Sequence, residues 1–579
     1  QSRSHPFLSE QFIPATPREI RNRNWQYVDI VLVTGDAYID HPSFGVALIA
    51  RLLESRGYRV AVLAQPSHEN CEAFRQFGRP RLFFGITAGN LDSIVANYSG
   101  NAKVRDEDAY SPGGNPYFGA ARDKKSRRRP DRAATRYAGL ARQAFADVPV
   151  ILGGLEASLR RFVHFDYQQN KLRASVLTDA KADLLVYGMG ERAILEIAGR
   201  LTHGKTLENI AGTCRRLTAK ELETQKDLDA IFLPGWEEIN NDTEKFLEAE
   251  KTLDSHARSL SVKPVLQKQQ ALWILQNRPA APLSTPELDD LYELPFTRKP
   301  HPTAGDLPAF RMIEHSVTIV RGCYGNCSFC AITRHQGPVT TSRSHESILS
   351  ELERISRKPD FKGVITDLGG PTANMFATRC TVKTCRKHDC LYPRLCKNLG
   401  IDEESFLNLL DRALAIKGIK HVHISSGLRL ELLMQTERLL EKIMTRHMPG
   451  ALKIAPEHTE NQVLRFMHKQ GAELLPAFLA VCRRLAKNAG LTPRFNPYLI
   501  ASHPGCTEED MKKMVRTLNK TGLPVYQFQD FTPTPGTLST AMYVSGRDRD
   551  TGKKIYVARK AGERKRQREI LERLRQGKK

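Results

Sequence analysis

The sequence contains no apolar run of the roughly 18 to 20 residues that a membrane-spanning helix needs. Its first 25 residues are polar and interrupted by Pro6, Pro14 and Pro17, so they lack the apolar centre of a signal peptide. These absences predict that nothing spans a bilayer and that the protein is cytoplasmic. With 40% hydrophobic and 26% charged residues, the composition is that of an ordinary globular protein rather than a disordered one.

Acidic residues are few relative to basic ones. The chain has 64 Asp and Glu but 87 Lys and Arg, which gives a net charge of +23 and a pI near 9.6. Such an excess favours polyanionic partners such as RNA. Much of it lies in residues 124–129 and 553–579, where a solvated basic segment explains the clustering at least as well. At 579 residues the chain is expected to form two or three domains.

Three cysteines, Cys323, Cys327 and Cys330, follow the apolar stretch 316–320 with the spacing CxxxCxxC. Three thiolates on one short loop can hold three corners of a 4Fe-4S cluster and leave the fourth iron without a protein ligand. The alternative is a zinc or ferredoxin-like loop whose remaining ligand comes from elsewhere in the chain. Of the 11 cysteines, seven lie between positions 323 and 396, which indicates metal binding in a reducing cytosol rather than disulfide bonds.

Strand and helix patterns alternate in two parts of the chain, which predicts an α/β fold. The first part predicts a parallel, Rossmann-like sheet in a domain spanning residues 25–200, with strands at 28–33, 60–63, 82–86, 148–152 and 184–187. The second part predicts six βα repeats within residues 311–545, with strands at 316–320, 363–367, 421–425, 452–455, 495–500 and 525–528. Residues 201–310 are expected to be a proline-rich linker with helices, and residues 546–579 a basic, partly helical tail.

The CxxxCxxC spacing, with Phe329 directly before the last cysteine, resembles the signature of the radical S-adenosylmethionine (SAM) superfamily. Residues 36–43, 153–158, 368–374 and 530–537 narrow this resemblance to the YgiQ family and extend it over about residues 25–545. The resemblance implies a partial (β/α)6 barrel, a 4Fe-4S cluster on the three cysteines, and SAM with its adenine near Phe329. It also implies reductive SAM cleavage, hydrogen abstraction from a substrate, and an electron donor such as flavodoxin or ferredoxin. It supplies no substrate, for which RNA and a small molecule both stay open.

Two departures from the superfamily's patterns bear on cofactors. Pro371 follows Gly369 and Gly370 where the superfamily usually has an acid that contacts the SAM amino group. Backbone carbonyls of the two glycines can still accept from an ammonium, and a tight turn that needs positive φ explains them equally well. The N-terminal domain resembles cobalamin-binding domains, but Asp40 and His41 are adjacent where the cobalt-ligating pattern reads DxHxxG. This departure argues against cobalamin, and we expect His41 to cap or pack at the start of the next helix.

A second group, Cys380, Cys385, Cys390 and Cys396, lies in a basic loop that also contains His388. Four thiolates can close a zinc site or hold an auxiliary cluster, but these spacings match neither usual pattern. Free thiols are the alternative. For the chain as a whole, the alternative to an enzyme is a zinc-stabilised nucleic-acid-binding protein without catalysis, anchored by the basic tail.

Overall fold

The computed structural model describes residues 11–225, 228–259, 261–382, 385, 387 and 389–576, and His388 therefore lies outside the described residues. The five predicted N-terminal strands are present: β1 (Ile30–Thr34), β2 (Val60–Ala64), β3 (Phe83–Thr87), β4 (Val150–Leu152) and β5 (Leu184–Val186). They pair in parallel in the order β2-β1-β3-β4-β5. Almost every residue of β1, β2 and β4 is buried, as expected for a parallel sheet covered on both faces. The covering helices include α1 (Gly45–Glu54), α2 (Ala133–Ala144), α3 (Gly154–Leu159) and α4 (Glu191–Thr202).

Residues 201–310, predicted to be a linker, instead extend this sheet. They contribute β6 (Thr213–Thr218), β7 (Ile231–Leu233), β8 (Val265–Gln269) and β9 (Leu272–Gln276), and they carry helix α5 (Thr243–Arg258). Within the described residues the sheet has nine strands in the order β7-β8-β9-β6-β5-β4-β3-β1-β2, with antiparallel pairing from β8 through β9 and β6 to β5. Buried glutamines interrupt the apolar pattern from which these strands could have been predicted. Gln267, for example, is 1% exposed, and its Oε1 accepts from the backbone N of Val163 at 2.9 Å.

The second half of the chain forms the predicted partial barrel. Its strands are β10 (Ser316–Thr318), β11 (Val364–Ile365 with Asp367–Gly369), β12 (His421–Val422), β13 (Leu452–Glu457), β14 (Phe495–Ala501) and β15 (Gln527–Asp530). They pair in parallel as β10-β11-β12 and β13-β14-β15. The helices around them include α6 (Ile332–Gln336), α7 (His345–Ser356), α8 (Glu403–Leu414), α9 (Leu474–Asn488) and α10 (Glu508–Thr521). Helix α7 shows why they pack: it buries Ile348, Leu352 and Ile355, which share one helical face.

The basic C-terminal segment contains helix α11 (Ala561–Gln576), which docks on the barrel. Leu571 is fully buried, and Gln567 Nε2 donates to the carbonyl oxygen of Cys506 at 2.8 Å. The other basic segment is also used in folding, since Arg129 is 1% exposed and its Nη2 lies 2.5 Å from Asp36 Oδ1. Part of the positive charge therefore stabilises the fold. In the described part of the chain, no helix combines the length and the apolar character needed to cross a membrane.

Candidate active site

The CxxxCxxC loop lies between the first barrel strand and helix α6. A short antiparallel pairing of Val320–Arg321 with Thr341–Ser342 closes the base of the loop. Gly322 has φ of 80°, and a Cβ there would lie 2.0 Å from the carbonyl oxygen of Val339, so the loop needs glycine at this position. The loop follows the carboxyl end of a barrel strand, which is where barrel enzymes carry their chemistry.

Two donors are directed at the sulfur atoms of this loop. Arg429 Nη1 donates to Cys327 Sγ at 3.2 Å, and the backbone N of Gly325 donates to Cys323 Sγ at 3.3 Å. Arg429 is itself held by Glu431, whose Oε1 lies 2.8 Å from Arg429 Nη2. Donors of this kind stabilise the thiolate form of cysteine, which is the form that binds metal. The sequence gives no local signal for Arg429, because it lies 102 residues beyond Cys327.

The three candidate ligands of the loop are all cysteine thiols, which are the donors of an iron–sulfur cluster, and a cubane cluster puts each thiolate on a different iron. Within the described ranges, no three His, Cys, Asp or Glu side chains are placed around one metal ion. Burial raises the pKa of the Cys330 thiol to about 12 and also raises that of Cys323. Metal binding at this loop must therefore release protons.

Gly369 and Gly370 lie at the carboxyl end of β11. Neither has positive φ, so the tight-turn explanation offered for them is wrong. A Cβ at Gly370 would lie 2.5 Å from the carbonyl oxygen of Val320, and one at Gly369 would lie 2.1 Å from Ser426 Oγ. Both positions need glycine because neighbouring strands and loops approach them closely. The carbonyls of both glycines stay predicted acceptors for the SAM amino group, although that of Gly369 already accepts from the backbone N of Ile319 at 2.8 Å.

Other residues at the barrel strand ends include Phe329, which makes an edge contact with the ring of His503 at 6.3 Å between centroids. Its place beside the SAM adenine stays a prediction.

Glu457 and Ser502 have left-handed backbones, with φ of 64° and 61°. Such strain in residues other than glycine often marks functional sites, and local sequence patterns do not reveal it. Burial also raises the pKa of the Glu457 carboxyl group.

A cavity of about 610 Å³ separates the N-terminal sheet from the cysteine loop. On one side it is lined by the carboxyl ends of the parallel strands, including Gly153, and by Ile194 of α4. On the other side it is lined by Ile332 and His335 of α6 and by Gly370. Open α/β sheets bind ligands at this end of their strands. The cavity thus joins the predicted crevice of the N-terminal domain to the barrel.

His41 does not line this cavity. The side chain is fully buried, and its Nδ1 accepts from the backbone N of Ser43 at 3.1 Å just before helix α1 begins. Its position agrees with the expected packing role at the helix start. Phe44 precedes the helix without a side-chain cap, so the helix begins through backbone geometry alone.

The second cysteine group lies beside the first loop. Cys380 is paired with Leu399 across two short strands, and its backbone N donates to Tyr324 Oη at 3.2 Å. The backbone N of Cys396 donates to the carbonyl oxygen of Cys390 at 2.7 Å. Burial raises the pKa of the Cys390 thiol to about 12, and the other three cysteines of the group add to the shift. The four residues are therefore neighbours in the fold. Whether they bind metal stays a prediction.

Comparison with known proteins identifies the family. The family model described as Radical SAM N-terminal matches residues 12–316, and the Radical SAM superfamily model matches residues 317–518. A UPF0313 protein of Methanocella arvoryzae is 42% identical over 96% of this chain and 92% of its own length. The chain belongs to the UPF0313 family of the radical SAM superfamily. A UPF0313 protein of Thermotoga neapolitana is 43% identical over 95% of the chain and 96% of its own length.

Membership confirms the predicted resemblance and makes the UPF0313 chain an enzyme of the radical SAM type rather than a nucleic-acid-binding protein without catalysis. The family implies a 4Fe-4S cluster and SAM as cofactors. Among solved structures, TsrM from Kitasatospora setae with cobalamin and a [4Fe-4S] cluster bound has a TM-score of 0.49 and 14% identity, covering 88% of this chain and 76% of that chain. This likeness is too distant to identify ligands of the UPF0313 chain.

Proposed function

We propose that the UPF0313 chain holds a 4Fe-4S cluster on Cys323, Cys327 and Cys330 and uses it to cleave SAM reductively and to abstract hydrogen from a substrate. The observation that carries this proposal is the contact of Arg429 Nη1 with Cys327 Sγ at 3.2 Å, in a three-cysteine loop after the first barrel strand. When bound, the cluster supplies the electron that breaks the sulfonium C–S bond of SAM and so makes an unreactive C–H bond accessible.

The protein's own residues then have three tasks. Arg429 and the backbone N of Gly325 stabilise the thiolates, the carbonyl oxygen of Gly370 accepts from the SAM amino group, and Phe329 packs near the adenine. The buried Tyr324, which is 2% exposed, helps to exclude water from the loop. A protein electron donor such as flavodoxin or ferredoxin completes the proposal. The proposal assigns no residue to cobalamin, since His41, the histidine compared with the cobalt-ligating pattern, does not line the cavity.

The proposal is tested by anaerobic purification, iron and zinc analysis, and measurement of 5′-deoxyadenosine formed from SAM with dithionite. Wild-type protein is expected to carry about four iron atoms per chain for a single cluster and to form deoxyadenosine. Cys327→Ala is expected to lose both. Cys482→Ala is the matched control, since Cys482 is buried within α9 and should behave like wild type. A colourless zinc protein, or deoxyadenosine formation by Cys323→Ala, would overturn the proposal.

The second cysteine group is proposed as a separate metal site close to the cluster. The contact between Cys380 and Tyr324 supports this placement. A variant with Cys390→Ser and Cys396→Ser is expected to lose additional metal while the signal of the first cluster in electron paramagnetic resonance persists. Metal content unchanged from wild type would leave free thiols as the explanation.

A further inference from the structure

We propose that the cavity between the N-terminal sheet and the cysteine loop is the substrate site. We propose further that it binds an uncharged, mostly apolar small molecule that donates one hydrogen bond to His335. This inference rests on the proposed function, because nearness to the cysteine loop is what makes a bound molecule a substrate.

The size and position of the cavity support a small molecule. Its volume of about 610 Å³ lies within the range of roughly 300 to 1,000 Å³ that is usual for small-molecule sites. Helix α6, which supplies Ile332 and His335 to the lining, begins two residues after Cys330. Gly370, the predicted SAM contact, lines the same cavity. A molecule held here therefore lies next to the place where SAM is expected.

The charges of the lining favour an uncharged occupant. Among the described residues that line the cavity, Glu191 is the one carboxylate and Arg321 the one Lys or Arg side chain. These two pair with each other, with Arg321 Nη1 lying 2.5 Å from Glu191 Oε1. A phosphate or carboxylate on a ligand would meet no unpaired cation. This balance argues against a nucleotide, and so against RNA, in the cavity.

Two helices of eight or more residues begin at the cavity, but their amino-terminal ends do not make it an anion site. The first backbone N of α1, that of Gly45, faces Asn90 Oδ1 at 3.4 Å. Helix α4 begins with Glu191, so an anion at its amino-terminal end would lie beside a carboxylate. Much of the remaining lining consists of Leu, Ile and Val side chains and of glycine backbone. Apolar lining with a few polar groups is typical of sites for apolar metabolites.

His335 supplies a hydrogen-bond acceptor of defined orientation. Ser158 Oγ lies 2.9 Å from the carbonyl oxygen of Gly154, to which we assign its one hydrogen, and it accepts from the backbone N of Gly188 at 3.0 Å. With this assignment His335 Nδ1, 3.0 Å from the same Oγ, is the donor to Ser158. In a neutral ring the proton on Nδ1 leaves Nε2 with a lone pair. Burial lowers the pKa of His335 to about 4, which keeps the ring neutral at pH 7. Within the described part of the chain, Nε2 has no hydrogen-bond partner.

Binding of 2-naphthol to the cluster-loaded enzyme tests this site, with 2-methoxynaphthalene as the matched probe that lacks the donor and 2-naphthoate as the charged one. Wild type is expected to bind 2-naphthol about tenfold more tightly than either, since one buried hydrogen bond contributes about that factor. Gly153→Leu should weaken 2-naphthol binding about tenfold or more. A Cβ at Gly153 meets no atom within 4 Å, so the added side chain enters the cavity without strain.

The control is Gly199→Leu, because Gly199 lies in α4 outside the cavity lining and a Cβ there also meets no atom within 4 Å. It should bind 2-naphthol like wild type, whereas His335→Leu should lose the preference for 2-naphthol over 2-methoxynaphthalene. Unchanged binding by Gly153→Leu, tighter binding of 2-naphthoate, or a preference that persists in His335→Leu would overturn the inference. SAM cleavage without cavity binding would overturn this inference and leave the proposed function standing. Cavity binding without SAM cleavage would overturn the proposed function and with it the role of the bound molecule as substrate, and would leave only the chemical class of the ligand.

Discussion

Arg429 donates a hydrogen bond to Cys327 Sγ, so we expect its side chain to affect the proposed cluster directly. Reduction adds negative charge to a cluster, and a cation that donates to a ligating sulfur stabilises the reduced state. We predict that Arg429→Gln keeps its iron but has a more negative midpoint potential. Loss of one charge-assisted hydrogen bond, about 1.5–3 kcal/mol, corresponds to a shift on the order of 100 mV for a one-electron couple. A redox titration followed by electron paramagnetic resonance measures the shift.

The partner of Arg429 needs its own control. Arg429→Gln leaves Glu431, which is 5% exposed, as a buried carboxylate without its cation, and this alone can loosen the loop. The double variant with Glu431→Gln removes that charge, and Arg429→Lys keeps a cation at the site. We expect the double variant to show the same negative shift and Arg429→Lys a smaller one. A wild-type potential in Arg429→Gln would contradict the assigned role.

The sequence predicted the cysteines of the site but not the side chains that hydrogen-bond to them or that line the neighbouring cavity. Cys323, Cys327 and Cys330 form a local pattern, and their spacing alone indicates the chemistry. Arg429 and His335 acquire their roles from contacts with residues far away in the chain, Cys327 and Ser158. No local pattern encodes such contacts. The roles of Arg429 and His335 follow from their burial and from the direction of their hydrogen bonds, and both of these are visible only in the folded structure.

At the scale of elements, the apolar strands could be predicted and the polar ones could not. Runs such as Ile30–Thr34 are buried along their whole length and stand out in the sequence. In β8 and β9, Gln267, Gln269 and Gln276 occupy buried positions, where loop groups satisfy them by hydrogen bonds. The alternation that marks a strand is therefore masked, and residues 201–310 resemble a linker. Tertiary contacts override the local pattern in this segment.

Helix α11 gives a prediction at the same scale. Arg564, Gln567 and Leu571 lie on one face of the helix and are buried. Arg564 Nη2 and Gln567 Nε2 each donate to a barrel carbonyl oxygen at 2.8 Å, so the helix is part of the fold. Leu571→Ala should lower the free energy of unfolding by about 2–5 kcal/mol, because it removes buried methyl groups and leaves a cavity. Thermal unfolding measures the loss. Lys565→Ala, an exposed position on the same helix, should change stability by no more than about 0.5 kcal/mol. Equal stability of the two variants would show a helix that does not dock.

At the scale of the whole molecule, the excess of positive charge has a partly internal use. Arg51, Arg129, Arg160 and Arg343 are among the largest fully buried side chains, and each is paired with a carboxylate. Net charge alone predicts a surface for polyanions, but it cannot show which cations face inward. RNA as a partner stays a prediction, and the neutral lining of the cavity argues against RNA as the substrate.

A buried ion-pair network joins the two halves of the chain. Glu351 of α7, in the barrel, accepts from Arg343 at 2.5 Å and from Arg298, which lies in the segment between the N-terminal sheet and the barrel. All three side chains are at most 7% exposed. Glu351→Gln leaves two buried guanidinium groups without their carboxylate, and breaking such a pair costs about 3–5 kcal/mol. We therefore predict that this barrel substitution also destabilises the N-terminal half.

Tryptophan fluorescence can detect this coupling, because all three tryptophans of the chain, Trp25, Trp236 and Trp273, lie in the N-terminal half. In urea, the fluorescence midpoint of Glu351→Gln should fall together with the midpoint from circular dichroism, which reports both halves. Glu293→Gln is the control, since Glu293 pairs with Arg354 at the surface and such pairs contribute about 0–1 kcal/mol. A fluorescence midpoint that stays at the wild-type value while circular dichroism shifts would mean that the halves unfold independently. The ion pairs would then stabilise the barrel alone, and the cavity between the halves would lack the rigid walls that selective binding requires.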